Sequence, residues 1–78
     1  MKHPRIEINP AVMVGKPVIR GTRVPVELIL RKIAAQVPVA EIRRDYPRLT
    51  EEDITAALAY AADAVSTDEI LEFAEATQ

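Results

Sequence analysis

The chain has 78 residues, of which 49% are hydrophobic and 28% are charged, and only two are glycine. This length accommodates a single domain, and this composition excludes disordered, collagen-like and low-complexity chains. The net charge of −2 conceals an uneven distribution: ten Lys and Arg residues oppose four carboxylates within 1–48 (+6), whereas 49–78 carry eight carboxylates and no basic residue (−8). The two halves are therefore predicted either to meet different partners or to neutralise each other, within one monomer or across a dimer.

Residue counts also exclude the usual reinforcements of a small domain. The sequence has no cysteine and one histidine, His3, so neither a disulfide nor a zinc site is expected. A single Phe and no Trp predict a thin core, for which association into a homodimer would compensate. No apolar run is long enough to cross a membrane, and the N-terminus lacks the apolar stretch of a signal peptide. The protein is expected in the cytoplasm.

The first predicted elements are short and extended. Residues 5–9 alternate, with Ile6 and Ile8 on one side, which predicts a half-buried strand. Asn9 and Pro10 then begin a single helical turn that Gly15 closes. Residues 18–26 predict two extended pieces bent at Gly21, the residue that tolerates positive φ.

Two helices follow. Pro25 suits the first turn of the first helix, and its apolar residues recur with helical spacing at Val26, Ile29, Leu30, Ile33, Ala34 and Val37. The second is predicted over 39–45 and stops at Tyr46, because Pro47 disfavours helical geometry in the residue before it.

A third helix is predicted from Thr50, which forms a variant capping box with Asp53. Its core positions are Ile54, Ala57, Leu58, Ala61 and Val65, and its opposite side, with Ala56, Ala59 and Tyr60, is smooth enough to receive another helix. A last acidic helix is predicted from Asp68 to about Ala76. The predicted fold is mainly α, with three to four helices and short N-terminal strands.

No set of residues predicts catalysis. Nucleophilic mechanisms need a Ser or Cys beside a base, and His3 lies next to the terminus. Glu51, Glu52 and Asp53 are consecutive acids at a helix start, which the helix dipole favours without any catalytic role. Neither glycine opens a phosphate-binding loop. An enzyme is the least supported class, and no cofactor is expected.

Residues 39–65 have the spacing of a helix-turn-helix, which any three-helix bundle shares. The third helix is a poor DNA reader, because it begins with three acids and contains no basic residue. Better-suited cations lie elsewhere, Arg31 and Lys32 among them, and the DNA-binding candidates are Lys16, Arg20, Thr22, Arg23, Arg43 and Arg44. Gly21 could present Thr22 and backbone amides to an oxyanion, or it could only permit a bend that Arg23 secures by pairing with a carboxylate such as Asp45.

The segment after residue 65 is acidic and amphipathic. Ile70, Leu71 and Phe73 alternate with carboxylates, which suits a helix lying in a groove of another protein. The same residues could instead close the domain's own core. The sequence thus divides into a domain over 1–65 and a tail over 66–78, with Tyr60, Ile70, Leu71 and Phe73 as candidate partner-binding residues.

Two stretches, GKPVIRGTRVPVELIL and DYPRLTEEDITAALAYA, together resemble the bacterial and archaeal domain-of-unknown-function family 433 over about residues 5–65. The resemblance implies a homeodomain-like helix-turn-helix fold. It also implies a dimeric antitoxin of a type II toxin–antitoxin system that sequesters a PIN-like ribonuclease toxin of the VapBC kind and binds its own operator. Val14 and Gln36 stand where the family often has glycine.

The expected function is therefore a non-catalytic antitoxin whose tail neutralises a PIN-like ribonuclease. Two alternatives remain open at this point. The chain could be a stand-alone DNA-binding regulator that uses its basic half, or a structural dimerisation module in which the opposite charges are satisfied between subunits.

Overall fold

The structure, a computed structural model, describes residues 2–66 and contains three helices and one two-stranded antiparallel sheet. Strands β1 and β2 span Ile6–Glu7 and Val18–Ile19, and helices α1, α2 and α3 span Val26–Ala34, Val39–Asp45 and Glu51–Ala64. This confirms a mainly helical fold with short N-terminal strands. None of the described helices has the length and apolar character needed to cross a membrane. The predicted acidic helix falls outside the described residues.

The two strands are joined by a compact loop and cover one side of the core. Ile6 lies opposite Ile19, and Glu7 lies opposite Val18. The loop contains a 3₁₀ turn over Met13–Gly15, and the Asn9 side chain accepts a hydrogen bond from the Ala11 amide at 2.9 Å. After β2 the chain reverses at Gly21, whose φ is +82°, and returns so that Pro25 bridges to Val18. The bend predicted at Gly21 is thus confirmed.

Helix α1 ends in a Schellman motif that places Gln36 in a left-handed conformation. The amide of Val37 donates to the Lys32 carbonyl at 3.0 Å, and the amide of Gln36 donates to the Ile33 carbonyl at 2.9 Å. The first residue beyond the helix cap in this motif must take positive φ, and this residue, Gln36, has φ of +64°. Glycine satisfies this geometry at the least steric cost.

The boundaries of α2 and α3 follow the predicted signals. Helix α2 ends before Tyr46, which takes an extended φ of −128° ahead of Pro47. Helix α3 begins with the capping box: the Asp53 amide donates to Thr50 Oγ1 at 3.1 Å, and the Thr50 amide donates to Asp53 Oδ2 at 3.0 Å. The box thereby satisfies the Thr50 amide and gives the Asp53 amide an acceptor beside the Thr50 carbonyl.

Every element contributes to one small core. Its buried residues are Ile6, Ile19, Val26, Ile29, Ile42, Leu49, Ile54 and Ala57. Helix α1 contacts both other helices, and α3 also contacts β1. Because the core draws on both ends of the described chain, the strands and helices stabilise one another and no pair of them is sufficient alone.

Some predicted core positions are wrong. Ile8 is 58% exposed, because strand pairing ends at Glu7 and the chain turns away. Leu58 and Val65 are 42% and 50% exposed, and Ala34 is also exposed. The strands and the other two helices cover a narrower stripe of α3 than its apolar spacing indicates, so the residues beyond that stripe face outward.

We expect glycine at either non-glycine position of positive φ to stabilise the protein. Val14 has φ of +56° and is 95% exposed, so Val14→Gly relieves the strain of a β-branched residue without loss of packing. Val14→Gly should raise the free energy of unfolding by about 1 kcal/mol, and Gln36→Gly by about 0.5 kcal/mol, after the greater entropy of the unfolded chain is counted. Urea denaturation measures both. Ala35→Gly, at φ of −83°, is the control and should destabilise.

Candidate functional site

Half of the basic residues form ion pairs with carboxylates of the described chain. Three pairs join the basic and acidic halves: Lys2 with Asp63 at 3.8 Å, Arg5 with Asp53 at 3.0 Å, and Arg43 with Glu51 at 3.8 Å. Lys16 and Arg31 share Glu27, at 3.3 and 3.0 Å. Within residues 2–66 the other five basic residues make no ion pair: Arg20, Arg23, Lys32, Arg44 and Arg48. Neutralisation between the halves of one chain is therefore partial.

The pair between Arg5 and Asp53 has a structural role. Asp53 is 6% exposed, and its two carboxylate oxygens are both engaged. Oδ1 accepts from Arg5 Nη1 at 3.0 Å, and Oδ2 accepts from the Thr50 amide of the capping box. The carboxylate thus ties the start of β1 to the first turn of α3, and it is already satisfied without a ligand.

We expect Asp53→Ala to lower the free energy of unfolding by about 2 kcal/mol, because it removes a helix cap and leaves Arg5 without its partner. Asp53→Asn should cost about half as much, since the amide oxygen still accepts from Thr50. Urea denaturation at neutral pH measures both losses. Glu52→Ala, an exposed acid in the same helical turn, is the matched control and should cost no more than about 0.5 kcal/mol. Equal losses for Asp53→Ala and Glu52→Ala would contradict the assignment.

Tyr60, a candidate partner-binding residue, is half-buried between two apolar hollows. One is lined by Ile6 and Ile8, and the other by Leu30 and Val65. The ring of Tyr60 packs edge-on against His3, with centroids 5.4 Å apart, and His3 Nε2 lies 2.7 Å from Asp63 Oδ2. Tyr60 therefore packs partly on the core, rather than standing on a separate smooth side of α3. The other three partner-binding candidates, Ile70, Leu71 and Phe73, lie outside the described residues.

Lys16, a DNA-binding candidate, lies against Glu27. The hydrogen bond from Arg31, followed by the hydrogen bond and charge of Lys16, holds the pKa of the Glu27 carboxyl below its ordinary value. A lowered pKa means that the folded protein favours the ionised form, so this contribution to stability is present near neutral pH. It is lost as the pH falls through the pKa of the folded state. Lys16 is thus partly compensated.

We expect Arg31→Ala to raise the pKa of Glu27 towards the ordinary glutamate value, because it removes the stronger of two cationic partners. The chemical shift of the Glu27 carboxyl carbon, followed by NMR through acid titration, measures this pKa. Lys32→Ala removes the neighbouring charge, which forms no ion pair in the described chain, and should leave the pKa nearly unchanged. A larger effect of Lys32→Ala than of Arg31→Ala would show that the pairing is wrong.

Thr22, another candidate, is engaged inside the bend. Its hydroxyl donates to the Ile19 carbonyl at 2.7 Å and accepts from the Val24 amide at 3.0 Å. Its own amide donates to the Ile19 carbonyl at 3.0 Å. The donors of Thr22 therefore hold the shape of the loop, and they are not presented to an oxyanion.

Arg20 and Arg23 flank the bend at Gly21 in the sequence, Arg48 donates to the Gly21 carbonyl, and we call these three residues the arginine cluster. Arg20 Nε donates to the Pro4 carbonyl at 2.8 Å, and Arg48 Nη1 donates to the Gly21 carbonyl at 2.9 Å. All three side chains are exposed and lack ion pairs within the described chain. The cluster is thus a cationic surface built by the β2–α1 loop and the α2–α3 connection.

Two hollows show that these segments are adjacent. One, of about 360 Å³, is lined by Gly21, Arg23, Arg48 and Glu7, among others. The other, of about 180 Å³, is lined by Arg23, Arg48 and Asp45. Arg23 and Asp45 thus share a hollow, but the alternative in which they form an ion pair is not observed. Glu7 and Asp45 are the carboxylates that face the cluster.

The remaining basic candidates lie on the last turn of α2. Arg43 Nε donates to the Leu49 carbonyl at 3.3 Å and its charge faces Glu51. Arg44 is exposed and has no ion pair among residues 2–66. Arg48 was missed by sequence reasoning, because it lies 27 positions from the carbonyl that holds it. Its place beside Pro47, in a connection with no periodic pattern, offers no local signal.

The described residues offer no group of three or more His, Cys, Asp or Glu side chains that could hold a metal ion.

The fold and surface together define a small mainly helical domain with a two-stranded sheet. Residues 6–61 match the family described as Protein of unknown function (DUF433), and the chain belongs to that family. It is similar to the crystal structure of a DUF433 member protein from Anabaena variabilis, with 32% sequence identity and a TM-score of 0.69. That match covers 95% of this chain and 69% of the other. The sequence matches no curated protein.

Proposed function

We propose that this protein is a non-catalytic antitoxin that binds and inhibits a PIN-like ribonuclease in the cytoplasm, and that its basic surface binds the operator DNA. The observation that carries the proposal is the separation of charge along a single chain. The described domain has five basic residues without ion pairs, including the arginine cluster. Residues 67–78 have four carboxylates and no basic residue.

The acidic segment supports the toxin-binding part of the proposal. A ribonuclease needs a basic surface to bind RNA, and an acidic segment with apolar anchors complements such a surface. Ile70, Leu71 and Phe73 supply the anchors in the sequence. Occupying the RNA-binding surface would inhibit the toxin without any chemistry by the antitoxin.

The helices support a helix-turn-helix-like arrangement in which α3 is not the reading helix. Helices α2 and α3 are joined by a short connection, and both pack against α1. The exposed residues of α3 include Glu51, Glu52 and Asp63 and no basic residue, so this helix would bring carboxylates towards phosphates. Contact with DNA is instead assigned to the arginine cluster, with Arg43 and Arg44 beside it.

A homodimer is part of the proposal. Tyr60 joins two apolar hollows whose rims include the exposed side chains of Ile8 and Val65. An apolar surface of this kind on a small domain favours association, which would also place two arginine clusters on one DNA duplex.

We expect the full-length triple variant Ile70→Ser, Leu71→Ser, Phe73→Ser to lose inhibition of a PIN-like ribonuclease recovered with the protein from its native host by at least about tenfold, because the anchors of the tail are removed. Cleavage of a fluorescent RNA by the purified nuclease, titrated with each variant, measures the inhibition. The matched control is Leu58→Ser, an exposed apolar residue of α3, which should inhibit like the unaltered protein. Full inhibition by the triple variant would refute the role of the tail.

The second candidate function is a stand-alone DNA-binding regulator, and the arginine cluster favours it specifically. One purification experiment distinguishes the antitoxin from the stand-alone regulator. Copurification of a small ribonuclease from the native host supports the antitoxin, whereas operator binding by a protein that recovers no nuclease supports the regulator. A protein that neither retards DNA nor recovers a nuclease would favour a structural dimerisation module.

A further inference from the structure

We propose that Arg20 and Arg48, together with Arg23, form a surface preorganised to contact backbone phosphates of duplex DNA. The inference rests on the DNA-binding part of the proposed function and is independent of whether a toxin exists. It adds Arg48 to the site, and it assigns the site to the phosphodiester backbone rather than to base edges.

The first argument is the way in which two guanidinium groups are held. Arg20 Nε donates to the Pro4 carbonyl at 2.8 Å and Arg48 Nη1 donates to the Gly21 carbonyl at 2.9 Å. A backbone carbonyl orients a guanidinium group without neutralising its charge. Each group uses few of its five donors in this way. Its side chain is already ordered in the free protein, so binding a ligand costs less side-chain entropy.

The second argument is the contrast with the paired cations on α1 and before it. Lys16 and Arg31 lie within 3.3 and 3.0 Å of Glu27, so an anion binding there must compete with a carboxylate already in place. Arg20, Arg23 and Arg48 have no carboxylate within ion-pair distance among residues 2–66. We therefore expect an anion to bind at the arginine cluster in preference to the cations that are paired with carboxylates.

The third argument concerns the backbone of the bend. Thr22 fixes the loop by hydrogen bonds to Ile19 and Val24. The amides of Gly21 and Arg23, on either side of Thr22, donate to no acceptor of the described chain. Gly21 and Arg23 are exposed. Amides at a bend of positive φ, next to guanidinium groups, are suited to an anionic oxygen.

The chemistry of the side chains identifies the kind of anion. Guanidinium groups match the paired oxygens of a phosphodiester. Arg23 and Arg48 share their hollows with the carboxylates of Glu7 and Asp45, whereas the guanidinium of Arg20 is held at the Pro4 carbonyl. The surface is thus suited to the phosphates that follow one another along a nucleic-acid backbone.

The experiment measures how DNA affinity depends on salt. Fluorescence anisotropy of a labelled duplex of mixed sequence gives the dissociation constant at a series of NaCl concentrations, for the full-length chain and for Arg20→Gln, Arg48→Gln and the double variant. Glutamine keeps a donor for the carbonyl and removes the charge. Each single variant should reduce the slope of log affinity against log salt by about 0.9, and the double variant by about 1.8, because one or two counterion-releasing contacts are lost.

The matched control is Arg31→Gln, which removes an exposed arginine held by Glu27 and should leave the slope unchanged. An unchanged slope in the double variant would overturn the site although DNA binding itself persists. A reduction by Arg31→Gln as large as that by Arg48→Gln would also overturn it. Failure of the unaltered chain to bind the duplex would instead overturn the DNA-binding function.

Two further measurements keep the result interpretable. Thermal melting by circular dichroism establishes that the variants fold, and if Arg48→Gln melts early, Arg23→Gln carries the same slope test, since Arg23 makes no side-chain hydrogen bond in the described chain. Competition by inorganic phosphate, at the ionic strength of a NaCl control, distinguishes the source of the phosphate. Equal displacement supports the phosphodiester assignment, and stronger displacement by inorganic phosphate overturns it.

Discussion

The carboxylate of Asp53 is the interaction on which the rest of the described structure depends. It is the buried charged group of residues 2–66, and it joins the first turn of α3 to the residue that precedes β1. The strands can cover the core only if their start is held against α3, because two residues of pairing provide little stability alone. One side chain thus performs helix capping and long-range attachment together.

The charges of this small domain are held in two different ways, and the difference separates structure from function. Carboxylates hold Arg5, Lys16 and Arg31, which cancels much of their field, whereas backbone carbonyls hold Arg20 and Arg48, which leaves it intact. The net charge of −2 for the whole chain therefore does not indicate how charge is distributed over its surface. A local excess of positive charge survives where backbone acceptors take the place of acids.

Sequence reasoning succeeded where the signal is local. Pro25 at the start of α1, Pro47 after α2, the Thr50 capping box and the bend at Gly21 each act within a few residues, and the structure confirms them. It failed at Ile8, Leu58 and Val65, because periodicity shows which residues share a face but not how much of that face is covered. Helical spacing continues along α3 beyond the point where other elements pack against it.

The sequence by itself determined the three described helices, where they begin, the end of α2 and the division of charge between the halves, since dihedral preferences, capping and composition are properties of short segments. Only the tertiary structure decided which cations are neutralised. Arg48 meets the Gly21 carbonyl, and Arg5 meets Asp53, across 27 and 48 positions. Contacts of such separation depend on how the strands and helices pack, and no spacing along the chain encodes them. The arginine cluster is a product of that packing.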